Sequence, residues 1–263
     1  MSKTDFECFS RIKKITVNEK QFAFEFHQST TSTNDLAKAC KTEEIKVFLA
    51  RSQTAGRGRF NREWISPKDS GLFFSVYIPS SDSSIQKDII PIRVATALHK
   101  VFKESYNLKT TIKWPNDIYV DNKKLAGILV ESVAKGNHIE KIIIGVGINL
   151  FKPNKESICH QIQELPIQPQ FLNELVDFSN TKELLEIMLT YIDKQLKTTT
   201  TQETVNYWNQ NSNMLGNEYT IHYLGNRLSG TIKGINNQGN LILFTGDEVI
   251  ELSSSDATFS PTM

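Results

Sequence analysis

Cysteine and histidine are scarce in this chain, neither sign of charge is in excess, and no apolar run is long. Of 263 residues only three are cysteine, Cys8, Cys40 and Cys159. An odd number without metal-ligand spacing excludes a disulfide framework and fits free thiols in a reducing compartment. His27, His99, His138, His160 and His222 form no ligand-spaced pair with a cysteine or carboxylate, so no protein-built metal centre is expected. The contact of His160 with Cys159 in sequence reads as chance, and His99, inside a helical stripe, reads as a surface or boundary residue. The formal net charge of +1, from 30 Lys+Arg against 29 Asp+Glu, lacks the basic excess of a dedicated nucleic-acid binder, so no nucleic-acid partner is expected. No window approaches the ~20 apolar residues of a membrane span. Lys3, Asp5, Glu7, Arg11, Lys13 and Lys14 precede any apolar run, which argues against a signal peptide. The chain reads as cytoplasmic, with no membrane partner.

What is present is concentrated in one loop. Gln53 to Trp64 holds Gly56, Gly58, Arg57, Arg59, Arg62 and Trp64, directly after the apolar run Val47–Ala50. Guanidiniums this close repel one another unless an anion sits among them, and the glycines allow close approach of backbone to a ligand. The stretch reads equally as a solvated basic loop or as an anion site, and the indole adds a stacking face for a base. It is not the dinucleotide fingerprint, because Arg62 stands where the third glycine belongs, and no Gly-Lys-Ser/Thr follows as in a Walker loop.

Hydrophobic residues at 39% and charged residues at 22% are ordinary for a globular chain with room for one large domain and a small one. Phe22–Phe26 alternates as a strand, after a mixed, charged stretch over 1–20. Ser32 with Asp35 three residues on has the spacing of a capping box, so a helix should start there. Gly71–Ile78 reads as a buried strand, and Asp88–Glu104 as a helix entered through Pro91. From Thr111 to Leu150, strands separated by the turns Pro115–Asp117, Asp121–Asn122 and Gly136–Asn137 argue for antiparallel pairing. Residues 151–170 read as irregular, 171–178 and 181–197 as helices, the second started by Asn180 with Glu183. Asn209–Asn213 reads as a linker, ahead of short strands with the pattern of a small all-β barrel. The expected division is 1–210 and 214–263.

Three polar motifs interrupt apolar strands: the arginine loop, Lys113-Trp-Pro-Asn-Asp117 with Lys124-Leu-Ala-Gly127, and Gly145-Val-Gly-Ile-Asn149. Lys124 either snorkels or meets an anion; Asn116 and Asn149 fit a turn and a strand end as well as a ligand. Taken in order, Ser32-Thr33-Asn34, Gln53, Gly56-Arg-Gly-Arg59 through Arg62 and Trp64, Lys113–Asp117, Lys124–Leu129 and Gly145–Asn149 resemble the biotin protein ligases, over about residues 28–150. The resemblance implies an α+β fold, with a mixed, largely antiparallel sheet and packed helices as in class II synthetases, plus a small SH3-like C-terminal β-barrel. It further implies that biotin and ATP with Mg²⁺ give biotinyl-5′-adenylate, and that the acyl group then passes to a lysine of a biotin carboxyl carrier domain. A homodimer is compatible with it, as is a monofunctional ligase without a DNA-reading domain.

Carried over by position, the resemblance places Ser32, Thr33, Gln53, Gly56 and Arg57 around the biotin head group, with Leu129 and Gly147 along its apolar side. Trp64, Lys113, Asn116 and Asn149 would serve the nucleotide, and Lys124, Arg59 and Arg62 the reacting charges, with no protein metal ligand. Phe60-Asn61 departs from a pattern with glycine before the third arginine, and Val146 from a smaller alanine. A lipoate ligase, a biotin-responsive regulator and a ligand-binding domain without turnover are the competing readings.

Overall fold

The computed structural model describes residues 6–259 except 83, 137, 155 and 179. Lys3 and Asp5 of the charged N-terminal stretch and Asn137 of the Gly136–Asn137 turn lie outside the described residues. Eight strands form the main sheet: β1 (Lys14–Val17), β2 (Lys20–His27), β3 (Lys46–Ala50), β4 (Gly71–Pro79), β5 (Thr111–Lys113), β6 (Asp117–Val120), β7 (Lys123–Lys135) and β8 (His138–Asn149). Their spatial order is β1-β2-β3-β4-β8-β7-β6-β5. Only β2 and β3 run parallel; every other pair is antiparallel, as the short turns foretell. The fold is thus α+β with a large, mostly antiparallel sheet.

Alternation along β4 explains how the sheet is covered. Leu72, Phe74, Val76 and Ile78 enter the large core, which also takes in Leu98 and Phe102 of α2 (Ile90–Tyr106) and Leu185 and Met188 of α4 (Thr181–Lys197). Tyr77 faces the other way, with Ala37 of α1 (Thr33–Ala39), Phe48 and Ile143. Ser75 turns to the same side and bonds α1.

Several expectations change once packing is visible. The mixed N-terminal stretch holds β1, because Ile15 and Val17 are buried while Lys14 and Thr16 stay exposed. Residues 151–170 are not wholly irregular, since α3 (Glu156–Gln163) lies within them. The helix expected over 171–178 shrinks to a 3-10 turn at Leu172–Glu174; burial of Phe171 and Leu172 and the tilted packing of Phe178 against Phe151, 5.1 Å between centroids, hold the segment in an open course. Ser32 does cap α1, accepting from Asn34 N at 3.3 Å, but no reciprocal box forms because the Asp35 carboxylate turns to Arg57. His99 is buried, not at the surface: its ring bonds the Tyr207 hydroxyl at 3.0 Å and the Thr110 carbonyl at 2.9 Å.

The expected linker is largely helical. The helix α5 (Thr201–Asn211) runs into it, Trp208 is fully buried, and Asn209 accepts a hydrogen bond from Ile235 N at 3.2 Å. Beyond it a second, five-stranded antiparallel sheet is built from β9 (Glu218–Tyr223), β10 (Asn226–Ile235), β11 (Leu241–Phe244), β12 (Val249–Leu252) and β13 (Ala257–Phe259), ordered β12-β11-β10-β9-β13. Its apolar side chains, Ile221, Ile232, Leu241 and Leu243, belong to the same core as the main sheet. Trp114 fastens the two, donating from Nε1 to Gly239 O at 2.9 Å. No helix among the described residues is long and apolar enough to cross a membrane.

Candidate active site

A cavity of about 620 Å³ opens where the arginine loop crosses the main sheet. Every residue singled out from the sequence lines it except Gly56. Gly56 works from behind: its carbonyl accepts from Trp64 N at 2.9 Å, and a Cβ there would stand 2.7 Å from Ser66 Oγ. The glycine lets the loop close on itself.

One part of the cavity is a satisfied network of amides and hydroxyls, anchored at one end on the Lys38–Glu131 ion pair. Gln53 Oε1 accepts from Thr33 N at 2.8 Å and from Thr33 Oγ1 at 3.2 Å, while Gln53 Nε2 donates to Ser66 Oγ at 3.1 Å. Ser75 Oγ lies 2.7 Å from Thr33 Oγ1 and 2.6 Å from Asn34 Oδ1. Asn34 Nδ2 donates in turn to Glu131 at 2.7 Å, and Glu131 also takes Lys38 at 2.7 Å. Gly145 is obligatory here, because a Cβ would collide with the Asn34 amide. Asn34 belongs to the Ser32-Thr33-Asn34 motif without a role assigned from the sequence, whereas Ser75 and Glu131, polar residues within the apolar strands β4 and β7, carry no local signal of a site.

The floor is glycine. Gly127 and Gly147 are register partners on β7 and β8, and the Trp64 indole lies across them. A Cβ on Gly147 would stand 2.7 Å from Trp64 Cε2, and one on Gly127 2.8 Å from Trp64 Cζ3. Leu129 lines the same wall. Asn116 and Asn149 fasten the strand ends, donating to Ile128 O at 2.6 Å and to Lys124 O at 2.9 Å. The segment Leu165–Phe171 adds a wall unforeseen in the sequence, held by Lys124 N to Gln168 O and Gln170 N to Lys124 O, both 2.9 Å.

The charges divide into two kinds. Arg57 is consumed internally, paired with Asp35 at 2.5 Å and near Glu131 at 3.6 Å, which holds the Asp35 carboxyl below its usual range. For Arg57 the anion among the guanidiniums is internal, the Asp35 carboxylate. Arg59, Arg62 and Lys113 make no ion pair among the described residues. Arg59 instead donates to the carbonyl of Ser254 and lies 3.5 Å from that of Ala257, with its guanidinium 4.8 Å from the Phe60 ring centre. Burial pulls its pKa down, as it does for Lys113, whose ammonium lies 4.9 Å from the Tyr119 ring centre and 5.7 Å from that of Phe259. Lys124 pairs with Asp117 at 2.8 Å and sits 5.1 Å from the Trp64 ring centre. The loop keeps this course through left-handed backbone at Phe60 and Asn61, both at φ 55°. Asn61 tolerates that conformation readily; Phe60, an aromatic residue there, is held by its stack on Arg59.

A model of the biotin/lipoate A/B protein ligase family matches residues 23–149. The match covers a little under half of the chain and takes in the arginine loop. The bifunctional ligase/repressor BirA of Bacillus subtilis is 27% identical over 240 residues, 88% of this chain and 72% of that protein. The Escherichia coli bifunctional ligase/repressor BirA is 34% identical over 114 residues, 43% of this chain and 36% of its own length. The solved biotin protein ligase of Aquifex aeolicus, described in complex with biotin and ATP, shares the fold, with a TM-score of 0.76 over 91% of this chain and 99% of that one at 24% identity. The family segment holds β3, β4, β7, β8 and the arginine loop, and so contains most of the cavity wall. The segment Leu165–Phe171 and Ala257, Thr258 and Phe259 complete the wall from outside it.

Proposed function

We infer that this chain is a biotin protein ligase: it condenses biotin with ATP to biotinyl-5′-AMP and passes the acyl group to a lysine of a biotin carboxyl carrier domain. The observation that carries the reading is the joining of two unlike environments in one cavity. A network of amides and hydroxyls with a glycine floor suits an uncharged ring system, and beside it stand cations with no internal anion. In the first step a carboxylate oxygen bonds the α-phosphorus as the bond to pyrophosphate breaks. In the second the carrier amine bonds the acyl carbon, AMP leaves with the C–O electron pair, and the amine proton passes to solvent. Bringing carboxylate and phosphate to about 4 Å costs about 4 kcal/mol per charge pair at an effective dielectric near 20, so clustered cations are what the step requires. No protein nucleophile is needed.

In this reading Ser32, Thr33, Gln53 and the backbone at Gly56 and Arg57 hold the head group, with Leu129 and Gly147 along it. Trp64 stacks on adenine with the face turned away from Gly127 and Gly147, and Asn116 and Asn149 serve the nucleotide. Lys124, held by Asp117, meets the carboxylate and α-phosphate; Arg59, Arg62 and Lys113 meet the phosphates. Mg²⁺ arriving with the triphosphate would neutralise the leaving pyrophosphate. The resemblance assigns no protein metal ligand; the structure offers Asp117, whose Oδ1 is buried without a donor among the described residues, as the carboxylate that would hold it. One carboxylate suits an ion that keeps waters and phosphate oxygens as its other ligands. Residues 1–210 are the catalytic unit and 214–263 a small barrel-like unit that walls the phosphate side.

Pyrophosphate exchange into ATP tests the reading, with biotin or lipoate as the only acid and Lys124→Ala as control. Exchange with biotin alone, lowered by orders of magnitude in Lys124→Ala while the fold is kept, is the expected result. Exchange with lipoate alone, or near-normal exchange in the variant, would overturn the assignment.

A further inference from the structure

The Tyr119 hydroxyl is a buried donor that the fold itself leaves without work. It lines the cavity, the residue is 5% exposed, and the hydroxyl has no hydrogen-bond partner among the described residues. A buried hydroxyl left unpaired is a standing destabilisation, so such a group is expected where a ligand supplies the missing acceptor.

Its surroundings say which acceptor. Tyr119 stands on β6, two residues from Asp117 and therefore on the same face, and is in register with Lys124. The Lys113 ammonium rests against its ring, 4.9 Å from the ring centre. In the sheet order the network of amides and hydroxyls reaches from Ser75 of β4 to Glu131 of β7, whereas Tyr119 lies on β6 next to the edge strand. Along β7, Lys124 opposite Tyr119 is seven residues from Glu131, roughly 20 Å of extended strand, which places the phenol at the cationic end and away from the head-group network.

We propose that Tyr119 is a positioning residue whose hydroxyl donates a hydrogen bond to the phosphate chain of the bound nucleotide. The proposal rests on the ligase reading for the identity of the nucleotide. The hydroxyl supplies a directed bond where Lys113 supplies an undirected charge.

Tyr119→Phe removes one oxygen and keeps the ring that packs on Lys113. Calorimetric titration with ATP alone, without any acid, reads the proposal separately from turnover. The expected result is binding roughly tenfold weaker or more in the variant, as for a lost bond to a charged acceptor. The thermal midpoint of the ligand-free variant should be equal to or above that of the wild type, because an unpaired hydroxyl has been removed. In exchange assays the KM for ATP should rise in proportion while the KM for biotin holds. Unchanged ATP affinity, a fall in the ligand-free midpoint, or a rise in the biotin KM in place of the ATP KM would each overturn the proposal. Failure of the wild type to exchange with biotin would instead strike the ligase reading and leave the ATP titration to decide Tyr119.

Discussion

At the scale of single residues the site is governed by what each charge finds as a partner. Arg57 and Arg59 are two positions apart, yet the first closes on Asp35 and the second reaches the Ser254 carbonyl. Arg59→Gly removes that reach and loosens the loop. The expected outcome is early release of the adenylate, seen as a higher ratio of free biotinyl-5′-AMP to biotin transferred to carrier; an unchanged ratio would refute the role. Gly147 makes the opposite kind of prediction, since its function is to be absent. In Gly147→Ala the added carbon would meet Trp64 at 2.7–2.9 Å, so the indole must shift. A displacement of this size lowers the exchange rate on the order of 10²-fold with little change in thermal midpoint. Neither effect was legible from Gly-Val-Gly as a motif, which identifies small residues without saying what lies over them.

At the scale of elements, α2 carries a pH-sensitive fastening. His99 is 2% exposed and is bracketed by Tyr207 of α5 and the Thr110 carbonyl. Burial lowers its pKa from 6.5 to about 4, against the opposing pull of the carbonyl. The native state therefore keeps the ring neutral where the unfolded chain would protonate it. Stability from this residue is complete above pH 6.5 and is lost as pH falls from there towards 4, on the order of 3 kcal/mol in all. Denaturant unfolding at pH 7 and pH 4.5 measures the loss, and His99→Gln should flatten it. Periodicity located α2 and α4 well, because their stripes face one core. It missed the open course of 171–178, where two buried residues and one tilted ring pair replace helical repetition.

At the scale of the whole molecule the two sheets behave as one packed body. Ile221, Ile232 and Leu243 of the small sheet share the core of the large one, and Trp114 bonds across to Gly239. Trp114→Phe leaves the Gly239 carbonyl without that donor and should reduce stability by about 1–3 kcal/mol. With the core continuous, calorimetry of the wild type should give one cooperative transition; two well-separated transitions would contradict it. The polar run Asn209–Asn213 looked like a boundary because composition alone cannot reveal that Trp208 anchors it and Asn209 spends its amide oxygen on Ile235.

The local order of the elements, the antiparallel meander from Thr111 to Asn149 and the chemistry of the arginine loop were determined by the sequence itself, since turns, periodicity and charge act over a few residues. The partners of the polar groups were decided only in three dimensions. Thr33 meets Ser75 42 positions away and Arg59 meets Ser254 195 positions away, distances over which no local signal survives. For the same reason Tyr119, unremarkable in an apolar strand, becomes a candidate ligand donor only when burial is seen to have left its hydroxyl unpaired beside the cations.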